Sequence, residues 1–363
     1  MRTAAEQDVT TTLAQLTTLR VGGPVRSLVA ATSEEELIAT IAAADAEGVP
    51  LLVLGGGSNV LAADTAFDGV VVRDARRGIT VESADSCGGA AIRVPAGQVW
   101  DDVVLRAVAE GWRGIEALAG IPGSTGATPV QNVGAYGQEV AEVISSVRTW
   151  DRATGRVRTL ARAELGFGYR TSVLKESFED DGTGTAWRPT PRHVVLDVGF
   201  QLVLADTSAP VRYPELARAL DVEVGERAPS AEVREAVLAL RGGKGMVLDP
   251  ADHDTWSAGS FFTNPVLPAA QADLLPAEAP RFEAGPGQVK TSAAWLIAHS
   301  GFRKGHGMPG AAALSTKHVL ALTNRGGASA EQLLDLAREV RDGVHARFGI
   351  RLVPEPVLVG LQL

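Results

Sequence analysis

A single cysteine, Cys87, in 363 residues excludes an intrachain disulfide and any cysteine cluster for zinc or iron–sulfur. The six histidines are His193, His253, His299, His306, His318 and His345. None forms a His-x-x-x-His pair beside an acid, so no metal is expected. Aromatic residues are only 5% of the chain, and no basic run carries interleaved aromatics. With a net charge of −9 and a pI near 5.3, this argues against a nucleic-acid partner. No apolar run approaches the ~18 residues of a membrane span. Met1 to Gln15 is polar and mixed in charge, unlike a signal peptide, so a cytoplasmic protein without a membrane partner is expected. The remainder is ordinary for a globular chain: 45% hydrophobic, 21% charged, and long enough for two or three domains.

Glycine is what the chain has in quantity. The run Leu51-Leu52-Val53-Leu54 ends in Gly55-Gly56-Gly57-Ser58-Asn59 and resumes at Val60-Leu61. Successive backbone N–H groups in such a turn can form a concavity for an anion such as a diphosphate. Taken alone, the stretch reads equally well as a tight turn after a buried strand. A Rossmann fingerprint would need glycine at Val60, and a P-loop would need Gly-Lys-Ser/Thr after the glycines. No helix pattern starts at Ser58, because Asp64, Phe67, Asp68 and Gly69 break it. Both common nucleotide motifs therefore fail here.

The surrounding pattern is mixed α and β. Residues 33–48 read as a helix: Ser33 caps it, Glu34, Glu35 and Glu36 suit the positive end of the dipole, and Gly48 ends it. Strands are expected at 51–54, 70–72, 91–95, 143–150, 157–160 and 194–204, and a helix at 98–110. The long glycine-rich stretch 114–137 carries too many apolar side chains for disorder. Residues 176–192 read as an acidic excursion, and a boundary is expected near 205–212. Helices follow at 214–220, 230–240, 293–300 and 330–348, with glycine-rich turns at 241–245 and 276–287 and a strand-like end from 349.

A second glycine-rich element, Ala119-Gly120-Ile121-Pro122-Gly123-Ser124-Thr125-Gly126, is followed by Gln131-Asn132-Val133-Gly134-Ala135-Tyr136-Gly137. Two backbone-donor loops suit a large dinucleotide laid between two small lobes. Together with Gly55-Gly56-Gly57-Ser58-Asn59-Val60-Leu61, these segments resemble the UDP-N-acetylenolpyruvoylglucosamine reductase (MurB) family. The resemblance continues in order through Gly168-Tyr169-Arg170-Thr171-Ser172, Gly259-Ser260-Phe261-Phe262-Thr263-Asn264-Pro265 and Pro354-Glu355-Pro356, covering about residues 17 to 360. It implies an α+β fold. A two-lobed FAD-binding domain of the vanillyl-alcohol-oxidase/PCMH type would span 17–204, with lobes of about 17–75 and 76–204. A C-terminal α+β substrate-binding domain would span 205–363 and return Glu355 to the active site on its last strand.

The resemblance also implies the chemistry. The family uses NADPH to reduce FAD, and the reduced flavin delivers a hydride to C3 of the enolpyruvyl ether of UDP-N-acetylglucosamine. A proton then goes to C2, giving UDP-N-acetylmuramate for peptidoglycan synthesis. Carried over by position, Arg170 faces the substrate carboxylate, Ser260 donates the proton and Glu355 is the third catalytic group. A carboxylate facing another is repelled, so Glu355 is expected to be neutral and to donate a hydrogen bond. The cofactor contacts implied are Gly55, Gly56, Gly57, Ser58, Asn59, Val60, Ile121, Pro122, Gly123, Ser124, Gly126, Asn132, Gly134 and Ala135. The substrate contacts implied are Tyr136, Tyr213, Lys244, Asn264 and His318, with Tyr213 resembling the loop tyrosine of the type I branch. Val357 and Leu358 stand where some members use an arginine. The FAD would be non-covalent, since no histidine precedes His193 and Cys87 lies outside the matched loops. A monomer or weak dimer is expected. The alternatives are an FAD-dependent oxidase or dehydrogenase of the same fold acting on an alcohol or sugar, and a catalytically silent FAD or nucleotide-sugar binding protein.

Overall fold

The helix expected after Ser33 forms as Glu34–Glu47 in the computed structural model, which describes residues 11–179 and 186–363. Ser33 Oγ accepts from the Glu36 amide at 3.1 Å, and Gly48 closes the helix in the left-handed region. The helix packs on a parallel sheet whose strands run Val25–Ala31, Phe67–Asp74, Leu51–Val53. Its buried Leu37, Ile41 and Ala44 meet Leu51 and Val72 of that sheet. They also meet Val194 and Leu196 of the next sheet, so the helix sits between two lobes. Arg148 strengthens this junction, pairing with Glu34 at 2.8 Å from one lobe and with Asp197 from the other.

The second lobe is an antiparallel sheet in the order Arg156–Ala161, Ile144–Asp151, His193–Leu204, Gly89–Pro95, Thr80–Asp85. Trp100–Ala109 covers it with Trp100, Val103, Val104 and Ala107 buried. The segment expected to begin a separate unit at 205 divides between two cores. Leu216 and Ala217 of Pro214–Leu220, and Val233 and Val237 of Ser230–Gly243, share the second lobe's core. The glycine-rich turn expected at 241–245 forms only in part. The helix continues through Gly242 and Gly243, and the chain reverses at Gly245, where φ is 67°.

The last core gathers around Ala330–Phe348, whose Leu333, Ala337, Val340 and Val344 pack with Leu296 and Ile297 of Ala293–His299. The turn expected at 276–287 contains a two-residue strand, Phe282–Glu283, that pairs with Gln288–Lys290. Of the strand-like end, only Val357–Val359 is a strand, and it pairs in parallel with Val60–Ala62 of the first lobe. This pairing carries residue 355 back to the first glycine turn. Two expectations lie partly outside the described residues: the polar start, at 1–10, and the acidic excursion, at 180–185. Among the described residues no helix is long and apolar enough to cross a membrane.

Candidate active site

The first glycine turn leads out of Leu51–Val53 and into a strand, Val60–Ala62, rather than a helix. The backbone N–H groups of Gly55, Gly56, Gly57, Ser58 and Asn59 donate to no acceptor among the described residues. Those of Ile121, Gly123 and Ser124 in the second loop are likewise unengaged. Ser58 Oγ ties the loops together by donating to the Pro122 carbonyl at 2.8 Å. The loops touch through their backbones, since a Cβ added at Gly56 would lie 2.7 Å from the Gly123 Cα. Asp101, in the first turn of Trp100–Ala109, accepts from the Gly120 amide at 2.7 Å and holds the second loop from behind.

Both loops line one cavity of about 1190 Å³. Gly55 to Val60, Ile121 to Ser124, Gly126 and Gly134 all line it. A row of unengaged N–H donors is a fit for the diphosphate of a dinucleotide such as FAD. Two residues expected at the cofactor do not line the cavity. Asn132 spends its side chain internally: Nδ2 donates to Glu139 Oε2 at 2.8 Å and to the Gly168 carbonyl at 2.9 Å, while Oδ1 accepts from the Ala141 amide at 3.2 Å. These bonds brace the loop. Ala135 belongs to the short hairpin Gly134–Ala135/Gln138–Glu139 and packs on the second lobe's core.

Arg170, Ser260 and Glu355 come together on the same cavity. Arg170 takes a left-handed backbone, φ 53°, which aims its guanidinium at the second loop. Nη1 donates to the Asn132 carbonyl at 3.2 Å and Nη2 to the Gly134 carbonyl at 2.9 Å. Nε lies 3.1 Å from Glu355 Oε1, an ion contact whose N–H is not aligned for a hydrogen bond. Ser260 follows Gly259, φ 72°, and is half-buried. No group among the described residues hydrogen-bonds its hydroxyl.

Glu355 is held by all three parts of the molecule. Its N–H donates to the Phe261 carbonyl at 2.9 Å, beside Ser260. Its carbonyl accepts from Asn59 Nδ2 of the first turn at 3.3 Å and from Gln131 Nε2 of the second loop at 3.0 Å. Burial pushes the Glu355 carboxyl above the usual carboxylate range, against the opposing pull of Arg170 and Lys175. Burial is the larger effect. It favours the neutral form before any substrate carboxylate arrives.

The expected substrate contacts separate into two places. Asn264 lines the cavity, and its backbone N–H donates to the Tyr169 hydroxyl at 3.2 Å. Tyr136, Tyr213, Lys244 and His318 do not line the cavity and gather elsewhere. Tyr136 and Tyr213 meet edge to face at 5.4 Å, and Lys244 Nζ lies 5.4 Å from the Tyr136 ring while pairing with Glu215. Burial, then the charges of Lys244 and Lys304, lower the His318 pKa to about 4, so its imidazole is neutral at pH 7. Val357 and Leu358 line the cavity as apolar wall.

Sequence reasoning missed Gln131 and Lys175, and it left Tyr169 out of the site. All three line the cavity. Lys175 lies on the four-residue helix Val173–Glu176, too short to leave a periodic signal, and only its spacing from Arg170 could have drawn attention to it.

Residues 249–359 match the family described as UDP-N-acetylenolpyruvoylglucosamine reductase, C-terminal domain, and residues 25–161 match an FAD binding domain. The chain is 57% identical to UDP-N-acetylenolpyruvoylglucosamine reductase of Cutibacterium acnes over 353 residues, covering 97% of this chain and 90% of the relative. It is 54% identical to the protein of the same name from Saccharopolyspora erythraea over 362 residues, covering 97% and 95%. The crystal structure of that reductase (MurB) from Thermus caldophilus is similar with a TM-score of 0.61 at 26% identity, covering 96% of this chain and 97% of the other. The glycine clamp, the cavity and the convergent arginine, serine and glutamate thus occur in a chain that belongs to the UDP-N-acetylenolpyruvoylglucosamine reductase family.

Proposed function

We propose that the two glycine loops hold the FAD diphosphate and that Arg170, Ser260 and Glu355 act on the substrate. The chain is an FAD-dependent oxidoreductase of peptidoglycan precursor synthesis, reducing UDP-N-acetylglucosamine enolpyruvate to UDP-N-acetylmuramate. Bound FAD supplies the hydride relay from NADPH to C3 of the enolpyruvyl group. The protein must then manage charge at the substrate carboxylate and a proton at C2.

Arg170 meets the charge. Two loop carbonyls and Glu355 fix its plane, leaving N–H groups on both Nη atoms for a carboxylate oxygen. Ser260 supplies the proton, with a hydroxyl that no acceptor among the described residues competes for. Glu355, whose carboxyl burial shifts toward the protonated form, donates a hydrogen bond to the carboxylate as negative charge builds there. The observation that carries this reading is the convergence on Glu355 of hydrogen bonds from both glycine loops and from the Ser260 segment. A silent binding protein would need no such convergence.

Tyr136, Tyr213, Lys244 and His318 would take the nucleotide sugar from the side, with Asn264 at the cavity itself. Residues 17–204 would form the FAD unit and 205–363 the substrate side, with 211–237 docked on the second lobe. A cytoplasmic location fits a nucleotide-sugar substrate and NADPH.

The test is spectroscopic. The protein should be yellow, bleach with NADPH under anaerobic conditions and recover its colour when UDP-N-acetylglucosamine enolpyruvate is added. A yellow protein that responds to neither addition would instead leave the binding-protein reading standing, and a flavin that bleaches but does not recover would overturn the proposed substrate.

A further inference from the structure

Lys175 brings a half-buried ammonium to the reaction centre, a placement that partly desolvates its charge. Nζ donates to the Arg170 carbonyl at 2.9 Å and to Gln131 Oε1 at 3.0 Å. Gln131 passes the connection on, since its Nε2 donates to the Glu355 carbonyl at 3.0 Å. No carboxylate lies within ion-pair distance of Nζ among the described residues, so the ammonium is not there to neutralise an adjacent acid. Its two acceptors belong instead to Arg170 and to the residue that steadies Glu355.

The Arg170 backbone explains the need. Its φ of 53° is a left-handed conformation that a non-glycine residue holds only when its surroundings impose it. A charged donor on the Arg170 carbonyl is a strong way to impose it. The same ammonium holds the Gln131 amide oxygen. This leaves the amide nitrogen turned toward the Glu355 strand.

We propose that Lys175 is a positioning residue for the substrate half-reaction: its ammonium locks the Arg170 turn and, through Gln131, fixes Glu355 beside Ser260. The proposal rests on the roles given above to Arg170, Ser260 and Glu355. Lys175 acts through those groups and is not itself assigned a proton to move.

The charge has a second consequence. The groups that act electrostatically on the Glu355 carboxyl are Arg170 and Lys175, and the Tyr169 phenol interacts with Glu355 as well. Lys175 pulls the Glu355 pKa down, so removing its charge lets that pKa rise. Activity that needs Glu355 protonated fades as pH rises through that pKa. Its alkaline limb should therefore move to higher pH in Lys175→Met and stay in place in Lys175→Arg.

The experiment is anaerobic stopped-flow on the FAD-loaded protein, its Lys175→Met and its Lys175→Arg variants. Flavin reduction by NADPH should run at the parent rate in both. Reoxidation by saturating UDP-N-acetylglucosamine enolpyruvate should slow by roughly 10²-fold in Lys175→Met, with part of the rate restored in Lys175→Arg. The loss should fall on the maximal rate rather than on KM. Parent protein that fails to reoxidise would sink the function itself. A reoxidising parent with unimpaired Lys175→Met, equal slowing of both half-reactions, or FAD lost from both variants would overturn the positioning role alone.

Discussion

The clamp and the reaction centre share one cavity but are made of different materials. The clamp is backbone: N–H groups at Gly55–Asn59, Ile121, Gly123 and Ser124 that are unengaged among the described residues, brought together because glycine leaves no Cβ between the loops. The reaction centre is side chain: a guanidinium, a hydroxyl and a carboxyl from segments as far apart as residues 170, 260 and 355. Backbone donors suit a ligand that stays in place, since they need no rotamer and no protonation state. Side chains suit the reacting group, because a proton must move and a charge must be met as it forms. Changes in the two regions should therefore fail differently. A clamp change should cost the cofactor and with it both half-reactions, and a reaction-centre change should cost only the second.

The largest effect is expected at Ser260. Ser260→Ala should retain FAD and its reduction by NADPH, while reoxidation by substrate slows by roughly 10²–10⁴-fold, the scale for losing a general acid. Rapid-mixing spectroscopy of each half-reaction separates the two. Equal damage to both would move Ser260 from the reaction centre into the clamp and erase the distinction.

The same division explains what could be read from the sequence. The helix Glu34–Glu47 was legible because its signals are local: Ser33 caps it, three acids fill its first turn and Gly48 stops it. The glycine loops were legible because a backbone site leaves its trace in residue type. The bracing by Asn132 was not legible, because an amide in a glycine-rich loop can face a ligand or its own loop, and only tertiary structure shows Glu139, Gly168 and Ala141 claiming it. The pairing of Val357–Val359 with Val60–Ala62 joins segments about 300 residues apart and has no local signal. Lys175 was invisible for a related reason. A lysine on a four-residue helix reads as solvated until the Arg170 carbonyl and Gln131 are seen to hold it. Arg170, Ser260 and Glu355 were reached through resemblance, because nothing in their spacing says that they meet.

A smaller effect should come from the clamp. In Gly56→Ala the new Cβ would stand 2.7 Å from the Gly123 Cα, and backbone on both sides must yield. Forcing such loops apart costs about 1–3 kcal/mol, which corresponds to roughly 5- to 150-fold in FAD affinity. Titration of the flavin-free variant with FAD, followed by flavin fluorescence, measures it. Once saturated with FAD, the variant should recover both half-reactions together. A variant that binds FAD normally but reoxidises slowly would place the first glycine turn in the reaction centre.

The smallest effect concerns the cluster that lies off the cavity wall. Tyr213 is 43% exposed and stands just before Pro214–Leu220, its ring held edge-on against Tyr136. Tyr213→Phe keeps that ring contact and removes only the hydroxyl. One hydrogen bond to a ligand is worth about 0.5–1.5 kcal/mol, or up to roughly tenfold in affinity, more if the partner is a phosphate. Substrate affinity of the oxidised protein should fall by that factor, while FAD affinity and the maximal reoxidation rate hold. His318 stays neutral above about pH 4, so the loss should be the same at pH 6 and pH 8. A loss that changed between those two values would mean that a titrating group, rather than the tyrosine hydroxyl and Lys244, sets the grip on the nucleotide sugar. Equal affinity in variant and parent would remove Tyr213 from the site and leave the side cluster as packing around Lys244 and Glu215.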